Sequence, residues 1–413
     1  MSDAKEAIEQ YFDEWQLAVI KANPASRSRV IAGPGTGKTT TLAAKVVWMV
    51  DAFELDPESI VVLSFTRKAV AGIRNKVSER VSEEIAREIN ANVRTFDSYC
   101  TMLLEGPMGE PKDRLKKMQY ASRIERVIQG LIDDASPLAG LRHLIVDEYQ
   151  DLVGVRADLV LQLIDSLPEE CGVTLLGDPC QAIYNYQVKG SRERDYESFR
   201  LANERQPGFI EFELKKEYRT KGFARPDWLV DDLAALRRAI LAGNVSAAGV
   251  AASIAAEDIA ERSEKICTMP EVRRRGLEEV VGHEGGTRRR IGVIARTNRE
   301  AQRVSQELLG AVQNKIHVEL AKDEQYSGND ENATEDEDPG IYVFTVHASK
   351  GREFSEVWLC QETIDYLMRC CGLARLDQAE EARVAYVAFT RTKGGTLVLQ
   401  HLTSGAHGTD DFD

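Results

Sequence analysis

Seven short apolar, β-branched runs recur along the chain, and each runs into a polar or glycine-rich turn. They read "SRVIAGPG" (28–35), "SIVVLSFT" (59–66), "LRHLIVDE" (141–148), "GVTLLGD" (172–178), "RRIGVIART" (289–297), "IYVFTVHASKG" (341–351) and "EVWLCQ" (356–361). Between them lie segments with helical period, such as 67–90 and 297–310. Buried strands alternating with helices predict parallel sheets covered on both faces. The runs fall into two groups, from Ile31 to about Leu176 and from Arg290 to about Leu399. The pattern therefore predicts an α/β protein with two cores in tandem, 1–222 and 223–405, followed by a tail over 406–413. A polar, helical insert is expected in the first core at about 102–138. Residues 223–285, rich in Ala, Leu, Glu and Arg, read as helices covering the second core. Residues 323–338, "DEQYSGNDENATEDED", lack an apolar period and read as a solvated acidic loop.

Composition narrows the class. The chain has 413 residues, 43% of them hydrophobic, enough for two ordinary domains with real cores. Its net charge of −14 argues against wholesale coating of nucleic acid and leaves room for a local basic track. The seven cysteines form no CxxC pair, and adjacent Cys370 and Cys371 have no partners at metal spacing. A reducing, cytoplasmic setting is the plain expectation. No apolar run reaches membrane-spanning length, and the start "MSDAKEAIEQ" is too polar for a signal peptide.

The chemistry begins at "AGPGTGKTT" (32–40), which follows a predicted strand and opens a helix. Gly33, Gly35 and Gly37, with Thr36, let backbone N–H groups face phosphate oxygens. Lys38 reaches the terminal phosphates, and the Thr39 hydroxyl suits magnesium. In "LIVDEYQD" (144–151) an apolar strand ends in Asp147, placed to hold magnesium through water, and Glu148, placed to polarise an attacking water. These two elements predict an NTPase, with ATP and Mg2+ as the expected cofactors.

The remaining motifs resemble, in order, those of the UvrD/PcrA/Rep group of superfamily 1 DNA helicases, from Gln16 to Arg391. The resemblance implies two RecA-like cores. It implies that Gln16 reads the adenine edge and that Thr40 stands where the family often has an arginine near adenine. "SFTRKAVAGIRNKV" (64–77) resembles a DNA-contacting segment, with Phe65 and Thr66 toward the bases. "TFDSYC" (95–100), with Thr95 and Phe96, resembles the next. In "LLGDPCQAIYNYQ" (175–187) Gln181 is implied to sense the γ-phosphate, and Tyr184 and Tyr186 to face DNA. In "KKEYRT" (215–220) Tyr218 would stack on adenine and Arg219 would reach the γ-phosphate. "TVHASKGREF" (345–354) places His347 toward DNA and Glu353 toward the ribose. "EEARVAYVAFTRTK" (380–393) gives Arg391 the arginine-finger place.

The resemblance implies an ATP-driven helicase or translocase on single-stranded DNA or a tailed duplex, moving 3′ to 5′. Two departures qualify it. The family's Trp-Arg pair after the glutamine motif is Tyr186-Gln187, which removes one positive charge. Only residues 299–344 lie where the family carries a large inserted subdomain. That shortness keeps open a second reading, an ATP-switched DNA-binding subunit that works with a partner such as a nuclease or repair protein.

Overall fold

The computed structural model describes residues 2–218, 226–263, 265–266, 283–284, 287–288, 290–312, 318–320, 340–354, 356–392 and 396–399. Arg219, the acidic stretch 323–338 and the tail 406–413 lie outside the described residues. The chain divides into two compact units, Met1–Arg219 and Thr220–Asp413. Among the described residues no helix is long and apolar enough to cross a membrane.

The first unit opens with α1 (Ser2–Tyr11) and α2 (Glu14–Ile20), then β1 (Arg27–Ala32) and α3 (Lys38–Ala52). Next come β2 (Ile60–Ser64), α4 (Arg67–Ser78), α5 (Glu83–Ala91), β3 (Val93–Thr95) and α6 (Phe96–Glu105). After α7 (Lys112–Lys117) and α8 (Tyr120–Asp133) follow β4 (His143–Asp147), α9 (Gly154–Ser166), β5 (Gly172–Gly177), α10 (Tyr196–Glu204) and β6 (Phe209–Leu214). The six strands form one parallel sheet in the order β3-β2-β4-β5-β1-β6.

Strand periodicity sends alternate side chains to opposite faces, which is why the runs are apolar throughout. Val61, Leu63, Leu144, Val146, Val173 and Leu175 face one core, with Phe96 and Leu103 of α6, Val127 and Leu131 of α8, and Val160 and Leu163 of α9. Ile60, Val62, Ile145, Leu176 and Val30 face the other, with Ile20 of α2, Val46 and Val47 of α3, and Ile73 and Val77 of α4. Each fully buried aliphatic chain of this kind is worth about 1.5–3 kcal/mol.

The structure refines three expectations here. The helical period over 67–90 resolves into α4 and α5, because Ser82 takes an extended N-cap conformation (φ −62°, ψ 157°) and turns the chain. The insert at 102–138 holds the end of α6, α7 and α8, and Ile124, Val127 and Leu131 bury it in the main core. Strands β3 and β6 were not expected. β3 has three residues, too few for a pattern. β6, "FIEFEL", pairs only with β1 among the described strands and keeps Glu211 and Glu213 exposed, as suits an edge.

The second unit contains α11 (Asp227–Leu241), α12 (Val245–Arg262), β7 (Lys265–Ile266), β8 (His283–Glu284), β9 (Thr287–Arg288), β10 (Arg290–Ala295) and α13 (Asn298–Val312). It continues with β11 (Val318–Leu320), β12 (Gly340–Thr345), β13 (Glu356–Cys360), α14 (Gln361–Leu367), α15 (Arg375–Phe389) and β14 (Thr396–Leu399). Six strands again form a parallel sheet, ordered β11-β12-β10-β13-β14-β7, while β8 and β9 make a separate antiparallel pair. The helices expected over 223–285 are α11 and α12 among the described residues. The small buried residues Ala248, Ala252, Ala255 and Ala256 let α12 pack closely against α11 and α15. Both units are thus parallel α/β cores of RecA-like type.

Candidate functional site

In an open parallel sheet, ligands bind beyond the carboxyl ends of the strands. In the first unit β5 lies between β1 and β4. The loop after β1 carries Gly33–Gly37 and leads into Lys38 at the start of α3, the turn after β5 carries Asp178 and Gln181, and β4 ends in Asp147 with Glu148 next. Three sequence motifs are thereby brought side by side on one sheet edge.

The loop after β1 is shaped by backbone chemistry. Gly35 (φ 77°) and Gly37 (φ 80°) are left-handed, and Gly37 is the N-cap of α3. The Thr36 hydroxyl donates to Gly33 O at 2.9 Å, closing the loop on itself. Lys38 Nζ donates to Ala32 O (3.1 Å) and Gly33 O (3.4 Å), so the ammonium curls back over the loop. Thr39 and Thr40, half-buried, complete the first turn of α3. Unsatisfied N–H groups at a helix start and an ammonium above them make an anion site.

Asp147 is buried at the end of β4 and accepts from the Ser64 hydroxyl at 3.3 Å. Burial, and then the charge of Glu148, pushes its carboxyl up to about 7, while Lys38 and Ser64 pull the other way. Glu148 takes a left-handed backbone (φ 52°), a conformation that costs a residue with a Cβ about 1–3 kcal/mol and clusters at functional sites. Gln150, fully buried, donates through Nε2 to Glu148 Oε2 at 2.5 Å and accepts from Asp178 N at 2.9 Å. Gln181 Nε2 in turn donates to Asp178 Oδ2 at 2.8 Å. Gln150 and Asp178 were not singled out in the sequence, where nothing distinguishes them from other polar residues at a strand end.

On the other side of the loop, α2 delivers Gln16. Asp13 caps α2: its carboxylate accepts from Gln16 N at 2.8 Å, and Asp13 N donates to Gln16 Oε1 at 3.3 Å. Gln16 Nε2 then donates to Thr36 O at 3.1 Å, clasping the phosphate loop. Tyr218 joins this cluster. Its backbone N–H donates to Gly35 O at 2.8 Å and its hydroxyl donates to Asp13 Oδ2, with burial and Asp13 raising the phenol to about 12. Lys45, one face along α3, is buried and donates to Val19 O at 3.0 Å, tying the end of α2 to α3. Burial lowers its ammonium to about 8. Asp13 was legible as a capping box three residues before Gln16; Lys45 was not, since a lysine in an apolar helix reads as a solvated one.

The aromatic candidates separate by exposure. Phe96 is 1% exposed and Tyr184 5%, and both belong to the core, so neither offers a ring face to a base in this conformation. Phe65 is half-buried, edge-on to Phe96 at 5.3 Å between centroids, with the Arg156 guanidinium 5.9 Å from its ring centre. Tyr186 is 39% exposed. The set able to stack narrows to Phe65, Tyr186 and His347. Thr66 and Thr95 cap α4 and α6, their hydroxyls accepting from Ala69 N (3.0 Å) and Ser98 N (3.2 Å).

In the second unit His347 and Glu353 are half-buried in the loop after β12. That loop is pinned where Phe354 N donates to Arg391 O at 3.2 Å and Phe354 bridges Thr392. Arg391 is 2% exposed, its Nε donating to Val387 O at 3.0 Å and Nη2 to the Thr390 hydroxyl at 3.2 Å, at the end of α15. A network unforeseen in the sequence lies after β10. Arg296 forms a two-pronged ion pair with Glu381 of α15, Nε to Oε2 at 2.9 Å, and its backbone N–H donates to Glu300 of α13 and Thr363 of α14. It fixes three helices around one strand end.

The donor set suits a hard divalent cation held mainly by phosphates and water. The Thr39 hydroxyl and the Asp147 carboxylate would both offer it oxygen, and Asp147 is buried beside the Ser64 hydroxyl. No group of three or more His, Cys, Asp or Glu that could hold a metal ion occurs among the described residues.

Comparison with known proteins agrees with this layout. The model for the UvrD/REP helicase N-terminal domain matches residues 13–137 and 138–200, and that for the UvrD-like helicase C-terminal domain matches 318–401. ATP-dependent DNA helicase SRS2 of Saccharomyces cerevisiae is 37% identical over 107 residues, covering 22% of this chain and 9% of its own. DNA helicase II of Haemophilus influenzae is 27% identical over 117 residues, covering 27% and 16%. The Pif1 helicase of Candida albicans superposes over 94% of both chains at a TM-score of 0.49 and 14% identity. The chain spans a quarter or less of the length of the curated relatives it matches. With the two family models together matching more than half of its residues, the chain belongs to the UvrD-like helicase family.

Proposed function

We propose that this chain is an ATP-dependent translocase on single-stranded DNA, moving 3′ to 5′ and hydrolysing ATP to ADP and phosphate. The observation that carries the reading is the convergence of Lys38, Asp147, Glu148 and Gln181 on one carboxyl edge of the first sheet. In this reading the N-terminus of α3 and Lys38 hold the β- and γ-phosphates, and Gln16 and Tyr218 take the adenine. Thr39 and Asp147 would hold Mg2+, which would supply positive charge to the phosphates. Glu148 accepts the proton of the attacking water as its oxygen bonds the γ-phosphorus, and the bond to the β–γ bridging oxygen breaks. Gln181, Arg219 and Arg391 stabilise the charge on the transferred group, with Glu353 toward the ribose. Phe65, Tyr186 and His347 supply the base-stacking surface, worth about 1–3 kcal/mol per base.

Directional movement is tested by displacement of streptavidin from biotinylated oligonucleotides. The reading expects ATP-dependent release from the 5′ end and little from the 3′ end. Preferential release from the 3′ end would reverse the polarity. ATP hydrolysis with release from neither end would favour the ATP-switched regulatory subunit. The shortness of the interval between β10 and β12 supports that second reading.

A further inference from the structure

Gln150 sits in a one-turn 3-10 helix, Tyr149–Asp151, directly after β4, and is fully buried. Both ends of its amide are engaged. Asp178 N is a donor only, so the amide oxygen must face it, at 2.9 Å; that leaves Nε2 to donate to Glu148 Oε2, at 2.5 Å. The amide therefore has one orientation. The left-handed backbone of Glu148 brings its carboxylate within reach of this neighbour two residues on.

The other end of the amide leads to the turn after β5. Asp178 is fully buried, and its carboxylate accepts from Gln181 Nε2 at 2.8 Å and from Cys180 N at 3.2 Å. A Cβ on Gly177 would stand 2.1 Å from Gln150 Oε1, so the residue before Asp178 must stay bare for the amide to fit. Glu148, Gln150, Asp178 and Gln181 form one continuous hydrogen-bonded chain across adjacent strands β4 and β5. The same turn runs on into Tyr184 and Tyr186, of which Tyr186 is exposed.

We propose that Gln150 is the positioning residue that sets Glu148 according to the state of the turn carrying Gln181 and the two tyrosines. Contact of DNA with that turn then reaches the water-activating carboxylate through a fixed amide, and DNA stimulation of hydrolysis depends on it. The proposal rests on the ATPase reading above.

The test compares steady-state ATP hydrolysis by the full chain, with and without a thymidine homopolymer, for wild type, Gln150→Ala, Gln181→Ala and the double variant. Loss of a hydrogen bond to a charged group predicts a fall in kcat of about 10–100-fold for Gln150→Ala. KM for ATP stays within about threefold, and the ratio of DNA-stimulated to basal rate collapses. The double variant is no worse than the poorer single one, because both cut one chain. Gln150→Met keeps the volume while removing both hydrogen bonds, and it loses kcat likewise; a melting temperature above the assay temperature in both Gln150 variants separates loss of coupling from loss of fold. A stimulation ratio unchanged in both Gln150 variants, or fully additive effects in the double variant, would overturn the proposal. Absence of hydrolysis in the wild type would instead overturn the ATPase reading itself.

Discussion

Gly37→Ala is a sharp probe of how the phosphate loop is built. Two separate penalties meet at this position. Alanine at φ 80° is left-handed, which costs about 1–2 kcal/mol. Its Cβ would also stand 2.8 Å from Gln16 Nε2, forcing that amide off Thr36 O and losing a hydrogen bond worth about 1 kcal/mol. The loop thus loses about 2–3 kcal/mol of organisation, roughly a 30–150-fold weakening of ATP binding. Titration of a fluorescent ATP analogue measures it. Gln16→Ala in the same chain removes the collision and leaves the backbone penalty, so the double variant should bind more weakly than Gln16→Ala by the backbone term alone, about 1–2 kcal/mol or roughly 5–30-fold. Affinity within threefold of wild type for Gly37→Ala, or strict additivity of the two substitutions, would refute the reasoning.

Three further outcomes follow from the same geometry. If Arg391 is the proposed arginine finger, Arg391→Ala should leave ATP binding nearly intact while kcat falls by about 10³-fold or more; a parallel loss of binding and turnover, read by analogue titration and steady-state kinetics, would refute the assignment. Phe65→Ala should weaken single-strand binding by about 1–3 kcal/mol, measured by fluorescence anisotropy, with basal hydrolysis little changed; unchanged DNA affinity would remove Phe65 from the stacking set. Asp147 is raised by burial to about 7, so its stabilising share is complete below the ordinary value near 3.8 and is lost as pH rises through 7. Asp147→Asn should therefore raise the melting temperature in the presence of chelator at about pH 8 by about 5 °C or more and change it little at about pH 4. Equal shifts at both pH values would contradict it.

The parts of this molecule legible in the sequence are those in which one residue type answers one local demand. Uniformly apolar runs such as "IVVLS" and "HLIVD" are strands buried on both faces, and the glycines of 33–37 mark a loop whose backbone must turn left-handed. What stayed hidden depends on partners distant in the chain. The ion pair of Arg296 with Glu381 joins residues from separate elements, and the bond of Gln150 to Asp178 N crosses between two strands. Neither leaves a periodicity or spacing. Phe96 shows the converse. Its motif marks it as a DNA contact, yet its burial makes it a support beneath Phe65, because a ring in the first turn of α6 faces the sheet. The charge of β6 at the sheet edge likewise disguised a strand, since the solvent there rewards Glu211 and Glu213 where a central strand would not.

In the proposed reading the first unit houses an ATP site whose turnover is driven by single-stranded DNA. The most direct test is phosphate release by wild type and Lys38→Ala, each with and without a single-stranded oligonucleotide. Hydrolysis by the wild type should rise at least tenfold with DNA, and Lys38→Ala should abolish it under both conditions. Hydrolysis that ignores DNA, or that survives the loss of Lys38, would contradict it.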